Sequence, residues 1–379
     1  MPFRAQHPGR ALLLALALGA AAAGMSAPVQ AGQQAPIRLM MGGMSKIVYL
    51  PAVLAARLGY FRDEGLDVEV VGGPAGIDTS TELIAGAIEG AIGFYDHTLD
   101  LQSRGQDVLS VVVFQRALGL AELASTRTEG GRALARSGSM RDARGLRLGV
   151  TGFGSSTWVV TRYLAAGAGV AAGDYTIVPL ASDTRFTDAI EHGSIDAGMV
   201  EEPTATRLLS SGAAQMVADM RSVEGSQRWL GGPYAGACLY MRRSWVDAHP
   251  QETARLAHAL VRALRYLDTH SPQAIADALP SELTGSDRAS YVQALGSAKP
   301  AFSRDGLMPQ DAPQTVLRVL IAAGSGVTAR HVDLAKTYTN KFANKFANQV
   351  ANQSANTDTN RDANDVANGA QSDAPKGAP

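Results

Sequence analysis

The sequence predicts an α/β protein built as two similar lobes with a cleft between them. Three pairs of segments carry that prediction. Ile37-Arg38-Leu39-Met40-Met41-Gly42-Gly43 has a counterpart in Leu146-Arg147-Leu148-Gly149-Val150-Thr151-Gly152, each a short apolar strand that runs into glycines. Leu54-Ala55-Ala56-Arg57-Leu58-Gly59 is echoed by Tyr163-Leu164-Ala165-Ala166-Gly167, and Gly86-Ala87-Ile88-Glu89-Gly90-Ala91 by Gly193-Ser194-Ile195-Asp196-Ala197-Gly198. Both copies keep the order strand, helix, strand, helix, strand. Open α/β sheets bind ligands outside the carboxyl ends of their strands, so two of them in one chain imply a cleft.

The elements follow from local chemistry. Residues 37–41 read as a buried strand and 48–58 as a helix ended by Gly59; Tyr60-Phe61-Arg62-Asp63-Glu64-Gly65 reads as a turn. Residues 68–71 form the next strand, broken by Gly72-Gly73-Pro74, and 79–85 are helical. A strand at 91–94, a helix at 98–103 and a β-branched strand at 108–114 follow, with a further strand at 118–125. The polar, Gly- and Arg-rich stretch 126–141 reads as a loop. The second copy spans roughly 146–229. Gly231-Gly232-Pro233 then punctuates the chain before a strand at 235–241. Helical patterns fill 252–269, 271–279 and 311–323, and Pro250 marks a helix boundary. These helices belong to no third repeat. The simplest placement returns them to the first lobe, giving a discontinuous lobe I (36–115 and 233–335) around lobe II (116–232). The two crossing strands would be the hinge.

Composition bounds the class. The 379 residues suffice for two domains, with 46% hydrophobic and 18% charged residues. A net charge of -1 gives no electrostatic case for nucleic acid or an acidic membrane. The single cysteine, Cys238, excludes an intrachain disulfide. Its apolar strand context marks an inert buried thiol.

The amino terminus reads as an export signal at 1–31. Arg4 and Arg10 precede an apolar run at 11–23 that is short for a bilayer span, and Val29-Gln30-Ala31 fits a small-x-small cleavage site, with Met25-Ser26-Ala27 as a second candidate. No cysteine lies near the cleavage site, so the expected product is a soluble periplasmic protein without a lipid anchor. From about Asn340 the composition collapses into Phe-Ala-Asn-like repeats followed by Asn, Asp, Gly and Ala. Such a tail at 340–379 buries too little apolar surface to offset chain ordering and is expected to be disordered.

Candidate binding groups sit where strands run into helices. Gly152, Phe153, Gly154, Ser155, Ser156 and Thr157 expose backbone N–H groups at a helix start, with hydroxyl donors beside them. The Gly154–Thr157 segment is a cradle for sulfonate, carboxylate, nitrate or phosphate. Simple helix capping by Ser155 or Ser156 accounts for the same residues. A dinucleotide fingerprint or nucleotide P-loop is not completed there. The matching first-lobe junction offers Ser45, Lys46 and Tyr49. Phe94-Tyr95-Asp96-His97 ends the third strand of lobe I, opposite Val200-Glu201-Glu202-Pro203 in lobe II. Asp96 suits a helix N-cap, and Glu201 or Glu202 suits an amine or ring N–H. Neither metal-ligand spacing nor a hydrolase or metalloprotease motif occurs. The sequence therefore argues for no metal, cofactor or catalysis.

Gly59-Tyr60-Phe61-Arg62-Asp63-Glu64-Gly65-Leu66-Asp67-Val68-Glu69 resembles a segment typical of the nitrate/taurine/alkanesulfonate group of ABC-transporter solute-binding proteins. Gly193-Ser194-Ile195-Asp196-Ala197 with Glu202-Pro203, and Ser271-Pro272-Gln273-Ala274-Ile275-Ala276, extend the resemblance over about residues 36–333. It implies the type II periplasmic-binding-protein fold, a monomer, and a small ligand clamped between lobes and delivered to a membrane permease. By that resemblance the contacts come from Ser45, Tyr49, Tyr95, Asp96, His97, Phe153, Ser155, Ser156 and Glu201. The ligand expected from the cradle is a small organic anion. The same fold group includes binders of thiamine-pyrimidine precursors, so a pyrimidine is the alternative. A related pyrimidine-synthesising enzyme uses a cysteine-rich motif that this chain lacks. A secreted α/β enzyme, signalled by a perturbed His97 beside Asp96, is the remaining class.

Overall fold

Among the described residues, ten strands build two five-stranded sheets of identical topology. In the computed structural model, which describes residues 35–73 and 76–344, the strands are β1 (Ile37–Met41), β2 (Val68–Gly72), β3 (Gly90–Phe94), β4 (Val108–Val113), β5 (Leu120–Ser125), β6 (Arg147–Val150), β7 (Thr176–Pro179), β8 (Ala197–Glu201), β9 (Ala214–Asp219) and β10 (Ala237–Arg242). The first sheet has the order β2-β1-β3-β10-β4 and the second β7-β6-β8-β5-β9. In each, the first three strands pair in parallel. The fourth position is an antiparallel strand exchanged between the halves: β10 lies between β3 and β4, and β5 between β8 and β9. This is the two-lobed periplasmic-binding-protein architecture.

The duplication extends to single residues. At the start of β1, the Arg38 amide donates to the Glu89 carboxylate (2.6 Å); at the start of β6, the Arg147 amide donates to the Asp196 carboxylate (2.9 Å). The pairing of each exchanged strand with its outer neighbour carries a bulge at the same place: β4 has the extra residue Val111 opposite Leu239 and Tyr240 of β10, and β9 has the extra residue Val217 opposite Glu122 and Leu123 of β5.

The chain passes between sheets twice, through residues 114–119 and 231–236. These crossings bind each other: Gly236 N donates to Gln115 O (3.1 Å) and Phe114 N to Ala237 O (2.8 Å). They are the two-strand connection.

Three local expectations are corrected. The stretch 126–141 is not all loop: Glu129–Ser137 is a helix, started by Thr128 Oγ1 accepting from Gly131 N (3.0 Å) and ended by Gly138 at φ 59°. Its glycines hid it in the sequence. The turn at 60–65 contains one helical turn, Tyr60–Asp63. The C-terminal helices are not confined to the first sheet. Pro250–Thr269 packs on Leu50–Arg57, but Arg288–Ala298 packs on Thr204–Ser210, and Ala312–Ala322 lies against both Ser156–Gly167 and Asp96–Ser103.

The proposed signal (1–31) and the tail beyond residue 344 lie outside the described residues. The tail boundary at Asn340 is too early. Asn340 Oδ1 accepts from Met308 N (3.0 Å), residues 341–344 are helical, and Phe342 and Ala343 are buried. Phe342→Ala is expected to lower unfolding stability by about 2 kcal/mol in denaturant titrations, the scale of burying one large apolar side chain. Among the described residues no helix is long and apolar enough to cross a membrane.

Candidate functional site

The carboxyl ends of β1 and β3 in the first sheet meet those of β6 and β8 in the second, and polar contacts join them in two clusters. The first is centred on Lys46. Its side chain is buried and forms an ion pair with Glu201, the last residue of β8, while its Nζ stands 3.7 Å from Asp183 Oδ1. Ser45 Oγ donates to Asp183 Oδ2 (3.4 Å), and Ile47 N donates to Glu202 O (3.0 Å). Burial alone would lower the Lys46 ammonium, but Glu201 and Asp183 outweigh it and hold its pKa above the ordinary value. Tyr49 lies beneath, its ring edge-to-face with Phe94 at 6.1 Å; burial, with Glu201 beside it, pushes its hydroxyl pKa well up.

The second cluster joins Asp96 to Ser156, the first residue of helix Ser156–Gly167. Ser156 Oγ donates to Asp96 Oδ1 (2.8 Å) and stands 3.5 Å from His97 Nε2. Burial raises the Asp96 pKa, opposed by His97 and the Ser156 hydrogen bond. Asp96 Oδ2 is buried without a hydrogen-bond partner, as is the Tyr234 hydroxyl on the second crossing. His97 is buried and stacks on Tyr240. A cavity of about 350 Å³ opens beside this cluster, lined by Asp96, His97, Arg104, Phe153, Gly154 and Trp158 among others.

The sequence-derived residues thus separate into two groups. Ser45, Tyr49 and Glu201 gather around Lys46; Asp96, His97, Phe153, Gly154 and Ser156 gather around the cavity. Phe153 stands at its mouth, 62% exposed. Tyr95 is carried away from both: it is buried and hydrogen bonds Thr337. Asp96 is not the expected N-cap; Tyr95 holds that position without a side-chain cap. Ser155 and Thr157 are turned inward. Ser155 Oγ donates to Gly152 O (2.6 Å) and accepts from Trp158 N, and Thr157 Oγ1 accepts from Thr151 N (2.9 Å). Of the cradle hydroxyls, only Ser156 reaches across, and it meets a carboxyl group. Glu202 serves its own lobe, binding Thr206 and Arg221. Cys238 is buried, its pKa pushed up to about 12 by that burial.

Sequence reasoning missed Asp183, Tyr234, Arg104 and Trp158. Asp183 was findable in principle, because it opens the helix after β7, on the same side of the sheet as Ser156 and Glu201.

Two sheets of one topology with facing strand ends and buried polar groups between them define the two-lobed periplasmic-binding-protein fold. The sequence pattern of the NMT1-like family matches residues 32–279, and the chain belongs to that family. A protein of solved structure from Bordetella bronchiseptica RB50 is 30% identical, with 84% of this chain and 98% of that chain aligned at a TM-score of 0.78. The alkanesulfonate-binding protein SsuA from Xanthomonas axonopodis pv. citri, bound to MOPS, shares the fold at 18% identity, with 80% of this chain and 98% of that one covered and a TM-score of 0.64. The periplasmic nitrate-binding protein NrtA from Synechocystis PCC 6803 shares it at 13% identity, 83% and 88% coverage and a TM-score of 0.60. No curated protein matches this chain in sequence. Of these three structures, those from Xanthomonas and Synechocystis are of binding proteins.

Proposed function

We infer that this protein is the exported solute-binding component of an ABC importer, holding one small polar molecule between its lobes and presenting it to a membrane permease without transforming it. The observation that carries this reading is the convergence of buried polar side chains from both sheets at their strand ends: Ser156 on Asp96, and Lys46 on Glu201. A ligand touching both lobes favours the closed form, and the permease reads that form.

The charge balance supports a ligand that donates hydrogen bonds, such as a pyrimidine-type heterocycle. In one cluster two carboxyl groups (Asp183, Glu201) face one ammonium, and in the other Asp96 Oδ2 has acceptor capacity to spare. A bare anion would bring like charge to these groups. The second reading, a small organic anion, is favoured by Gly154 and Arg104 in the wall of the cavity and by the sulfonate and nitrate binders among the structural neighbours.

Mass spectrometry of whatever co-purifies with gently prepared protein tests the reading, followed by thermal-shift screening of pyrimidines, sulfonates, nitrate and carboxylates. One class should raise the melting temperature. Asp96→Asn should then weaken a donor-bearing ligand about tenfold or more, some 1.4 kcal/mol, and should strengthen an anion. No stabilisation by any class, or turnover of the bound molecule by purified protein, would reject the assignment.

A further inference from the structure

Lys46 is placed unlike any other cation among the described ion pairs. It comes from the first lobe, yet its partners, Glu201 and Asp183, both belong to the second. Lys46 is only 5% exposed. The residues on either side repeat the crossing: Ser45 reaches Asp183 and Ile47 reaches the Glu202 carbonyl. Three consecutive residues of one lobe are therefore fastened to the other.

None of the second-lobe cations in the described ion pairs, Arg144, Arg147 and Arg221, pairs with Glu201 or Asp183. Arg221 is taken up by Glu202 and Asp219. Separation of the lobes would leave Glu201 and Asp183 without their ion-pair partner. The space left beside them is small: a cavity of about 10 Å³ lined by Thr151, Ser182, Asp183 and Glu201. The ammonium fills the position at which a ligand's positive or N–H group would meet these carboxylates. The stem of Lys46 folds back over Gly43, where a Cβ would stand 2.9 Å from Lys46 Cε; Gly43 also has φ 113°, a conformation that glycine tolerates.

The geometry points to Lys46 as a tethered occupant of the cleft, which holds the ligand-free protein closed and must be displaced from Glu201 and Asp183 by an entering ligand. The displacement clause rests on the solute-binding reading; the closure clause does not. Apparent ligand affinity is the intrinsic affinity scaled by the fraction of protein that is unlatched, so a ~100:1 preference for the latched form costs about a hundredfold. A cation buried against two carboxylates acts this way because removing one partner of such a set leaves buried charge uncompensated.

The experiment is pulsed electron spin resonance on ligand-free, full-length protein, with one spin label on the outer face of each lobe. Cys238, the single cysteine, is buried and does not compete for label. The wild-type chain is expected to give a distance distribution dominated by the short, closed separation. Lys46→Met should shift most of the population to longer distances. Lys46→Glu combined with Glu201→Lys should restore the short distance, which a simple loss of packing would not do. Because Lys46→Met leaves two carboxylates unpaired, Lys46→Met with Glu201→Gln and Asp183→Asn serves as a folded control and is also expected to open. Coincident distributions for wild type and both Lys46→Met variants would overturn the latch. A latch that responds as expected in a protein for which no solute raises the melting temperature would instead count against the solute-binding reading alone.

Discussion

Glu122→Gln is expected to make this protein more stable at pH 8, by about 2–3 kcal/mol, and to flatten its loss of stability with rising pH. Glu122 lies on β5, the exchanged strand of the second sheet, at the last position before the bulge. The equivalent position on β10 is Leu239. One lobe thus fills this site with an aliphatic side chain and the other with a carboxyl group. Thr161 Oγ1 donates to Glu122 Oε2 (3.0 Å), but Oε1 is buried without a partner. Burial pushes the Glu122 pKa from 4.5 up to about 8.

The sign follows from linkage. Below about pH 4.5 the carboxyl group is protonated in both folded and unfolded chains. Between that value and about 8 the unfolded chain ionises and the folded one does not, so stability falls as pH rises, then levels off once the folded carboxyl ionises too. The full difference is on the order of 4–5 kcal/mol at 1.36 kcal/mol per pKa unit. Glutamine keeps an acceptor for Thr161 and removes the ionisation. It also puts an amide N–H where Oε1 had no partner, which costs about 1–2 kcal/mol, hence the smaller net gain. Urea titrations of both proteins at pH 5, 7 and 9 measure it. Parallel pH profiles for wild type and variant would show that Glu122 is not neutral in the native state.

The pseudo-symmetry behind that comparison was legible because each copy repeats local requirements. Gly86 and Gly193 both turn with positive φ, at 78° and 68°. The acids that follow, Glu89 and Asp196, both accept from a backbone amide near the start of a neighbouring strand. Such features recur at fixed spacing and can be read from one chain. The exchange of β5 and β10 was legible only as two crossings, since antiparallel insertion into the other sheet is a tertiary choice with no local mark.

The site was legible to the level of which strand ends face the cleft. It was not legible to the level of partners. Ser155, Ser156 and Thr157 look alike in sequence; one turn of helix geometry sends Ser155 into capping, Thr157 back to the Thr151 amide and Ser156 across to Asp96. Glu201 and Glu202 are adjacent, and the alternation of a strand end gives one to Lys46 and the other to Arg221. Lys46 reads equally as a charge offered to a ligand and as a solvated lysine, because its carboxylate stands 155 residues later in the chain.

Gly236→Val is expected to destabilise the protein by about 3–5 kcal/mol, the sum of overpacking and of hydrogen bonds lost at the crossings. Gly236 has no left-handed backbone requirement. It is glycine because the two crossings touch there: an added Cβ would run into the Ala117 carbonyl oxygen and stand 3.2 Å from Gln115 Cβ. Its amide donates to Gln115 O (3.1 Å) and its carbonyl accepts from Tyr95 N (3.0 Å), the residue that leads into Asp96. A larger side chain must push 231–236 away from 114–119 and loosen the Phe114–Ala237 bond beside it. Gly65→Ala separates crowding from backbone strain. Gly65 has φ 69° and open space around its would-be Cβ, so alanine there should cost only about 1–2 kcal/mol. Lobe motion in this fold must bend the crossings while keeping them joined, so Gly236→Val should also broaden the interlobe distance distribution of ligand-free protein where Gly65→Ala leaves it narrow. Equal, small losses of stability in the two variants would mean that the crossings are not tightly coupled and that closure is governed elsewhere.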